Sequence, residues 1–136
     1  IRRESEATVT IQTAVKLIGT AGVTIEAVAS SNASSEGVNS SIISLGYAEA
    51  KAVATVNIQS GVNILAGESV VISTDASAVA VISTKTSKDD GKASKLLPFT
   101  FSLAISNTDL TSTVDVAGGV IIEAGKTVNI TAQGSV

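Results

Sequence analysis

The densest group of polar residues in this 136-residue chain is the stretch KDDG at 88–91. Asp89 and Asp90 beside a glycine could offer oxygen ligands to Ca²⁺, which takes about 6–8 of them in proteins. The other ligand positions of a calcium-binding loop are missing, and so is the nonapeptide of calcium-binding β-helices with its regular Asp. We therefore interpret the stretch as a solvated loop tip and expect neither a metal nor another cofactor. Three lysines lie close enough in sequence to balance its charge: Lys88, Lys92 and Lys95.

Paired carboxylates could hydrolyse a glycoside, a reaction that needs two carboxyl groups at a fixed separation in a cleft. The candidates are scattered over predicted turns and outward-facing positions, without an aromatic platform for a sugar. The chain has no His, which removes the usual general base and the commonest metal ligand. We expect no enzyme activity and assign no catalytic, cofactor-binding or metal-binding residue. The carboxylates considered are Glu26, Glu68, Asp75, Asp115 and Glu123.

The composition predicts an all-β protein. Hydrophobic residues make up 44% of the chain but aromatic ones only 2%, so burial must come from Val, Ile, Leu and Ala. Val and Ile favour pleated sheets because their branched Cβ atoms are conformationally stiff. The absence of Cys excludes disulfides and thiolate metal sites. The net charge of −3 is unsuited to nucleic-acid binding, and no apolar run approaches the roughly 18–20 residues of a membrane span. We expect neither a nucleic-acid partner nor membrane insertion.

Three stretches of 21 residues, at 7–27, 54–74 and 112–132, align without a gap. Their sequences are ATVTIQTAVKLIGTAGVTIEA, ATVNIQSGVNILAGESVVIST and STVDVAGGVIIEAGKTVNITA. Each contains three pairs of aliphatic residues, and the one-residue gap within a pair puts both members on the same side of a strand. Three short strands joined by corners rich in Gly, Ala, Ser and Thr predict one coil of a parallel β-helix. In the second stretch the pairs are Val56 and Ile58, Val62 and Ile64, and Val70 and Ile72.

Such a coil cannot fold alone, because six aliphatic side chains do not offset the conformational entropy of ordering 21 residues. Stacked coils share their inward residues and complete one another's backbone hydrogen bonds. The apolar positions recur because each coil lies on the next, whereas the polar positions vary because they face water. At the corners, Gly67 and Gly125 occupy equivalent positions, where we expect turns that use a positive φ.

Rows of threonine on a flat β-helix face can bind ice, and Thr8, Thr55 and Thr113 do occupy one repeat position. The neighbouring row starts at Thr10 but continues as Asn57, so no doubled threonine row persists. We interpret these residues as ordinary outward-facing strand residues.

The segments between the repeats, 28–53 and 75–111, are each long enough for a further coil. This predicts about five coils in a single β-solenoid domain or segment that spans 1–136. Residues 41–58 are predicted to form a long strand with one face of small residues, and Tyr47 on its other face is expected to be solvated.

Two alternating strands predicted at 77–87 and 99–106 flank a charged loop at 88–98. We favour wide coils from which this loop protrudes, and the alternative is that the two strands pair as an arm. The sequence leaves the handedness of the coil open, although a right-handed crossover is the strong default.

The cadence V-x-I-x-A-G-x-x-V-x-I is carried by VNILAGESVVIST at 62–74 and VIIEAGKTVNITA at 120–132, with a weaker copy at 15–27. Together with the long Ala-, Ser- and Thr-rich strands between its copies, it resembles the repeat regions of giant bacterial surface exoproteins such as filamentous-haemagglutinin-like adhesins. That resemblance implies a parallel β-helix that is extracellular or on the cell surface and that builds a fibre or holds binding tips away from a cell. It implies no catalytic residues.

The sequence favours a structural protein, an adhesin shaft or fibre subunit. Neither the first nor the last repeat resembles a polar cap, and an uncapped coil end exposes unpaired backbone and apolar surface. We therefore expect end-to-end contacts, either within a longer native chain or between separate copies, and a host or cell-surface ligand is a further candidate partner. The alternative is a carbohydrate-binding or carbohydrate-cleaving β-helix, similar to phage tailspikes and polysaccharide lyases, with only Tyr47, Phe99 and Phe101 to supply a sugar platform. A calcium-stabilised adhesin module is a third interpretation.

Overall fold

The computed structural model describes residues 1–39, 43–86 and 101–136, and in these residues the chain has nine strands and no helix. The prediction of an all-β protein is confirmed. The strands are β1 (Arg2–Ile11), β2 (Lys16–Gly19), β3 (Gly22–Asn39), β4 (Ile43–Ile58), β5 (Asn63–Ala66), β6 (Ser69–Thr86), β7 (Phe101–Val116), β8 (Ile121–Ala124) and β9 (Thr127–Ser135).

The strands form three sheets of three parallel strands, with the orders β1-β4-β7, β2-β5-β8 and β3-β6-β9. In the first sheet, the backbone N–H groups of Glu49 and Gln59 donate to the carbonyl oxygens of Ile1 and Ile11. The difference between partners is constant, 49 − 1 = 59 − 11 = 48, as a parallel ladder requires. Because each run of three successive strands gives one strand to every sheet, we call β1–β3, β4–β6 and β7–β9 layers 1, 2 and 3.

The register of the strands agrees with the alignment of the three sequence repeats. Lys16 pairs with Asn63, and Asn63 with Ile121, which gives offsets of 63 − 16 = 47 and 121 − 63 = 58. The repeats at 7–27, 54–74 and 112–132 are offset by the same amounts, 54 − 7 = 47 and 112 − 54 = 58. The sequence alignment therefore identifies the residues that lie on one another.

Apart from the shorter terminal strands β1 (10 residues) and β9 (9 residues), equivalent strands of different layers have equal lengths. β3 and β6 have 18 residues each, β4 and β7 have 16, and β2, β5 and β8 have 4. Three residues separate β3 from β4 and 14 separate β6 from β7, so the difference of 14 − 3 = 11 accounts for the whole rise in offset from 47 to 58. The extra residues of the second interval thus leave the strands themselves unchanged.

The prediction of about five coils is wrong for the described residues, which contain three layers. Segments 28–53 and 75–111 do not make coils of their own, because most of their described residues prolong the long strands β3, β4, β6 and β7. Small and larger residues alternate along most of β4, and no corner interrupts the strand. The alternative of a paired arm is also wrong for the described residues, since β6 and β7 belong to different sheets. The predicted loop at 88–98 lies outside the described residues.

The chain divides into two compact units. Unit 1 comprises Ile1–Glu4, Ser31–Lys51 and Ala78–Asp109, and unit 2 comprises Ser5–Ser30, Ala52–Ser77 and Leu110–Val136. All three 21-residue repeats lie in unit 2.

The core of unit 2 is aliphatic, as the paired pattern predicts. The six aliphatic residues that form the three pairs of the second repeat are all buried, and residues of the flanking repeats pack against them. The second repeat therefore lies between the other two and supplies most of the core. Its buried residues are Val56, Ile58, Val62, Ile64, Val70 and Ile72.

Unit 1 is built instead on small inward residues. Ala48 and Ala50 of β4 are fully buried. A Cβ atom added to Gly46 would lie 2.5 Å from Cγ2 of Ile82 and 3.3 Å from Cγ2 of Thr84, so β4 and β6 pack closely here. The small-residue face that the sequence predicted on β4 is thus the face of β4 that packs against β6.

The corner glycines have a different role from the predicted one. Positive φ occurs at Ala14, Gly61 and Gly119, three positions related by the offsets of 47 and 58, at the corner that precedes the short strand. The prediction of a positive φ at Gly67 and Gly125 is wrong, because neither is among the positive-φ residues of the described chain. Glycine is needed at these two positions for a steric reason instead. Both lie at the interface between layers, where a Cβ atom would overlap backbone of the neighbouring layer.

Candidate interaction surface

The two end layers of unit 2 expose residues that the middle layer buries. Val70 and Ile72 of β6 are completely buried, whereas their register partners Val128 and Ile130 of β9 are 45% and 46% exposed. The four side chains occupy equivalent inward positions, so the difference arises because no described layer covers β9 on its far side. Layer 3 therefore presents an open aliphatic surface.

Layer 1 presents the corresponding surface at the other end. Val9, Ile11, Leu17 and Val23 pack against the core but are only partly buried. Strands β1, β2 and β3 each have a neighbour on one side only among the described strands. Unpaired backbone groups beside exposed aliphatic side chains are the features by which a sheet edge accepts another strand.

Backbone of adjacent layers meets directly at the corner between the short strand and the following long strand. The N–H of Gly67 donates to the carbonyl oxygen of Gly19 at 3.0 Å, and that of Gly125 donates to Ala66 at 3.1 Å. A Cβ on Gly67 would overlap the carbonyl oxygen of Thr20 and lie 3.1 Å from its carbonyl carbon. A Cβ on Gly125 would overlap the carbonyl oxygen of Gly67 in the same way. Glycine is required at both positions because backbone, and not a movable side chain, fills the space.

The outward side of the layers carries polar contacts between adjacent layers. Lys126 Nζ donates to Glu68 Oε1 at 2.8 Å, with both side chains more than half exposed. Thr13 Oγ1 donates to Gln59 Oε1 at 3.0 Å. Exposed pairs of this kind contribute about 0–1 kcal/mol to stability, so they add little to the stability of the stack.

The carboxylates that the sequence singled out lie on the surface of unit 2. Glu26, Asp75, Asp115 and Glu123 are exposed, and Glu68 is engaged with Lys126. No group of three or more His, Cys, Asp or Glu residues in the described ranges could hold a metal ion. Asp89 and Asp90 lie outside these ranges, so the interpretation of KDDG as a loop tip stays a prediction.

A shallow groove of about 430 Å³ lies on the β2-β5-β8 side of unit 2. Ile18, Leu65 and Glu123 contribute to its lining, which otherwise consists of Gly and Ala. Glu123 is the single ionisable residue in that lining, so the groove offers no second group for acid–base chemistry.

Unit 1 carries an exposed apolar face that the sequence analysis missed. The offset of 58 that relates Lys51 to Asp109, whose Nζ and Oδ2 atoms are 3.9 Å apart, also relates residues 45 and 47 of β4 to residues 103 and 105 of β7. All four are large apolar residues on the outward side, with exposed fractions between 42% and 64%. Applying the repeat offset outside the repeats would have found them. The residues are Leu45, Tyr47, Leu103 and Ile105.

Tyr47 is held at the border of this face by charged neighbours. Its hydroxyl donates to Glu49 Oε2 at 2.8 Å, and Arg2 Nε lies 3.8 Å from Glu49 Oε1. The hydrogen bond to Glu49 raises the pKa of Tyr47 above its usual value, since ionisation would break the bond and place two negative charges together. The pKa of Arg2 is raised as well, chiefly by its hydrogen bond to Glu4.

In the described residues we find no helix with the length and apolar character needed to cross a bilayer. Of the aromatic residues that the carbohydrate-binding alternative would need for a sugar platform, Phe99 lies outside the described ranges and Tyr47 has aliphatic neighbours by register. Comparison of the chain with protein-family models, with curated proteins and with solved structures finds no match. The resemblance to bacterial exoprotein repeats therefore rests on the two quoted sequence phrases and their weaker copy.

Proposed function

We propose that this chain is a structural parallel β-helix, an adhesin shaft or fibre subunit outside a bacterial cell, which associates end to end through its coil ends. The observation that carries the proposal is the contrast between Ile72, fully buried, and Ile130 at the equivalent position of layer 3, which is 46% exposed. A further layer on layer 3 would bury the aliphatic positions of layer 3 as layer 3 buries those of layer 2.

The proposed role is mechanical. Parallel ladders of hydrogen bonds connect each layer of unit 2 with the next, and a stack in which every layer pairs with its neighbours would resist bending. Outward residues such as Thr55, Asn57 and Thr113 keep the sides hydrated. The function requires no enzyme activity, cofactor or nucleic-acid partner, and we take the coil to be right-handed because right-handed crossovers prevail.

The proposal is tested by electron microscopy and sedimentation velocity over a concentration series. We expect the unchanged chain to form continuous thin filaments as its concentration rises. Ile130→Lys places a charge on the inward side of layer 3 and should leave isolated particles, because a further layer would bury that charge without a partner. Asn129→Lys adds the same charge on the outward side of the same strand and is the matched control, with filaments as before. A folded chain that stays monomeric at every concentration would exclude end-to-end association.

Carbohydrate binding is the alternative, and the exposed ring of Tyr47 beside Leu45 favours it. Aromatic rings that present an apolar face with a polar tip are common in binding surfaces. The measurement is a glycan array with the unchanged chain, Tyr47→Ala and the control Thr55→Ala, which changes an outward residue of the same strand. Binding that Tyr47→Ala removes and Thr55→Ala retains would support this function, whereas no binding by any of the three would exclude it.

A further inference from the structure

The position occupied by Thr20, Gly67 and Gly125 distinguishes the two ends of unit 2. The offsets of 47 and 58 relate the three residues, one from each layer. At the two contacts between layers, the later layer contributes glycine and the earlier layer contributes the carbonyl oxygen that a Cβ would overlap. We call this position the stacking corner.

The two internal contacts at the stacking corner share one geometry. The N–H of Glu68 donates to the carbonyl oxygen of Ala21 at 2.6 Å, and the N–H of Lys126 donates to that of Glu68 at 2.7 Å. The approach of Gly67 to the carbonyl carbon of Thr20 likewise matches that of Gly125 to the carbonyl carbon of Gly67. A layer that continued the stack beyond layer 3 would meet the carbonyl oxygen of Gly125 in the same position.

A second copy that docks head to tail would bring its layer 1 onto layer 3. Most of that contact continues the interface inside unit 2, because Val23 and Ile25 of the second copy would lie on Val128 and Ile130, aliphatic on aliphatic. The stacking corner is the exception. Layer 1 has Thr20 there, and a threonine Cβ has no room beside a backbone carbonyl oxygen at the separation seen within the chain.

We infer that Thr20 opposes head-to-tail docking of a second copy on layer 3, so that the residue at the stacking corner of layer 1 sets the concentration at which copies associate. This inference rests on the proposed end-to-end association. It adds that copies dock head to tail and that the Cβ of Thr20 is the main obstacle to docking. The partner is a second copy, since its layer 1 supplies the aliphatic residues and the free backbone groups that match layer 3. With Thr20 in place, the corner must open to admit the Cβ, which weakens the contact.

The test compares the unchanged chain with Thr20→Gly and Thr20→Ala by sedimentation velocity and electron microscopy over the same concentration series. Thr20→Gly removes the Cβ and should lower the concentration for half-maximal association by roughly tenfold or more, the effect expected when one steric conflict with backbone is relieved. Thr20→Ala removes the hydroxyl and the methyl group but keeps the Cβ, so it should associate like the unchanged chain. Adding Ile130→Lys to Thr20→Gly should abolish the gain, because the gain acts through layer 3.

The outcomes separate this inference from the proposed function. Equal association of the three chains would overturn the inference about Thr20 and leave end-to-end association standing. Thr20→Ala associating as readily as Thr20→Gly would also overturn it, since the Cβ would then not be the obstacle. Absence of association in all three chains, with each one folded by thermal unfolding at low concentration, would overturn both the inference and the end-to-end proposal.

Discussion

At the scale of single residues, Ala14 is the clearest case of backbone strain. It has a φ of 61°, whereas the equivalent corners of layers 2 and 3 have Gly61 and Gly119 at φ of 72° and 77°. An alanine in the left-handed region is strained by about 1–2 kcal/mol because its Cβ crowds the following carbonyl oxygen.

Ala14→Gly should therefore stabilise the protein by roughly 0.5–1 kcal/mol, the relief of strain less the extra chain entropy of glycine in the unfolded state. Urea unfolding at low protein concentration measures the change. Ala21→Gly is the matched control at an exposed corner residue without a positive φ, and it should be neutral or destabilising. Equal effects of the two substitutions would contradict the assignment of strain to Ala14.

Tyr47 predicts a pH dependence of its own. Its pKa is raised by the hydrogen bond to Glu49, so the folded state favours the neutral phenol relative to the unfolded state. The stabilisation is fully present below the ordinary tyrosine pKa of about 10 and is lost as the pH rises through the raised value of the folded protein. Glu49→Gln removes the carboxylate and should bring the pKa of Tyr47 back toward its ordinary value.

Ultraviolet absorption of the tyrosinate measures this pKa directly, because the chain has one Tyr and no Trp. Glu26→Gln changes an exposed carboxylate of unit 2, whereas Glu49 belongs to unit 1, so it is the control and should leave the titration curve in place. A titration curve that does not move in Glu49→Gln would show that the hydrogen bond is not the cause of the shift.

At the scale of the elements, the glycines of the corners have separable roles. Gly67 meets the backbone of Thr20, whereas Gly118 has open space within 4 Å of the position where a Cβ would be added. Gly67→Ala should destabilise the protein by roughly 2–3 kcal/mol, because the layers must separate at the corner to admit the methyl group. Gly118→Ala should be neutral or stabilising by up to about 1 kcal/mol, since alanine restricts the unfolded chain. Thermal unfolding of both variants measures these changes in stability. A small loss of stability in Gly67→Ala would show that the layers can separate at this corner at little cost.

The elements also show how far the sequence could predict the fold. Paired aliphatic residues such as Val70 and Ile72 identified the inward positions and, through the repeat alignment, the register between layers. The number of layers was not predictable in the same way, because segment length alone does not distinguish a new coil from a prolonged strand. The positive φ was predicted at Gly67 and is found at Gly61, because a glycine needed for φ and one needed for space look alike in a sequence. The apolar face around Tyr47 was missed because its partners lie 58 residues away.

At the scale of the whole molecule, burial is graded from the middle layer of unit 2 toward its open surfaces. Ile72→Ala removes a side chain that is completely buried and should cost about 2–5 kcal/mol of stability through lost burial and the cavity left behind. Ile130→Ala removes the equivalent side chain of layer 3, which is 46% exposed, and should cost roughly half as much.

The difference between these two substitutions depends on association, and that dependence connects stability with the proposed function. At concentrations where the chain is monomeric, Ile130 is covered on one side only and its loss is mild. Where copies stack on layer 3, Ile130 becomes an interior residue, and association adds to the stability that unfolding experiments measure. The effect of Ile130→Ala on the unfolding temperature should therefore grow with protein concentration while that of Ile72→Ala stays nearly constant. Calorimetry over a wide concentration range measures both, and an effect of Ile130→Ala that is independent of concentration would mean that no further layer covers it.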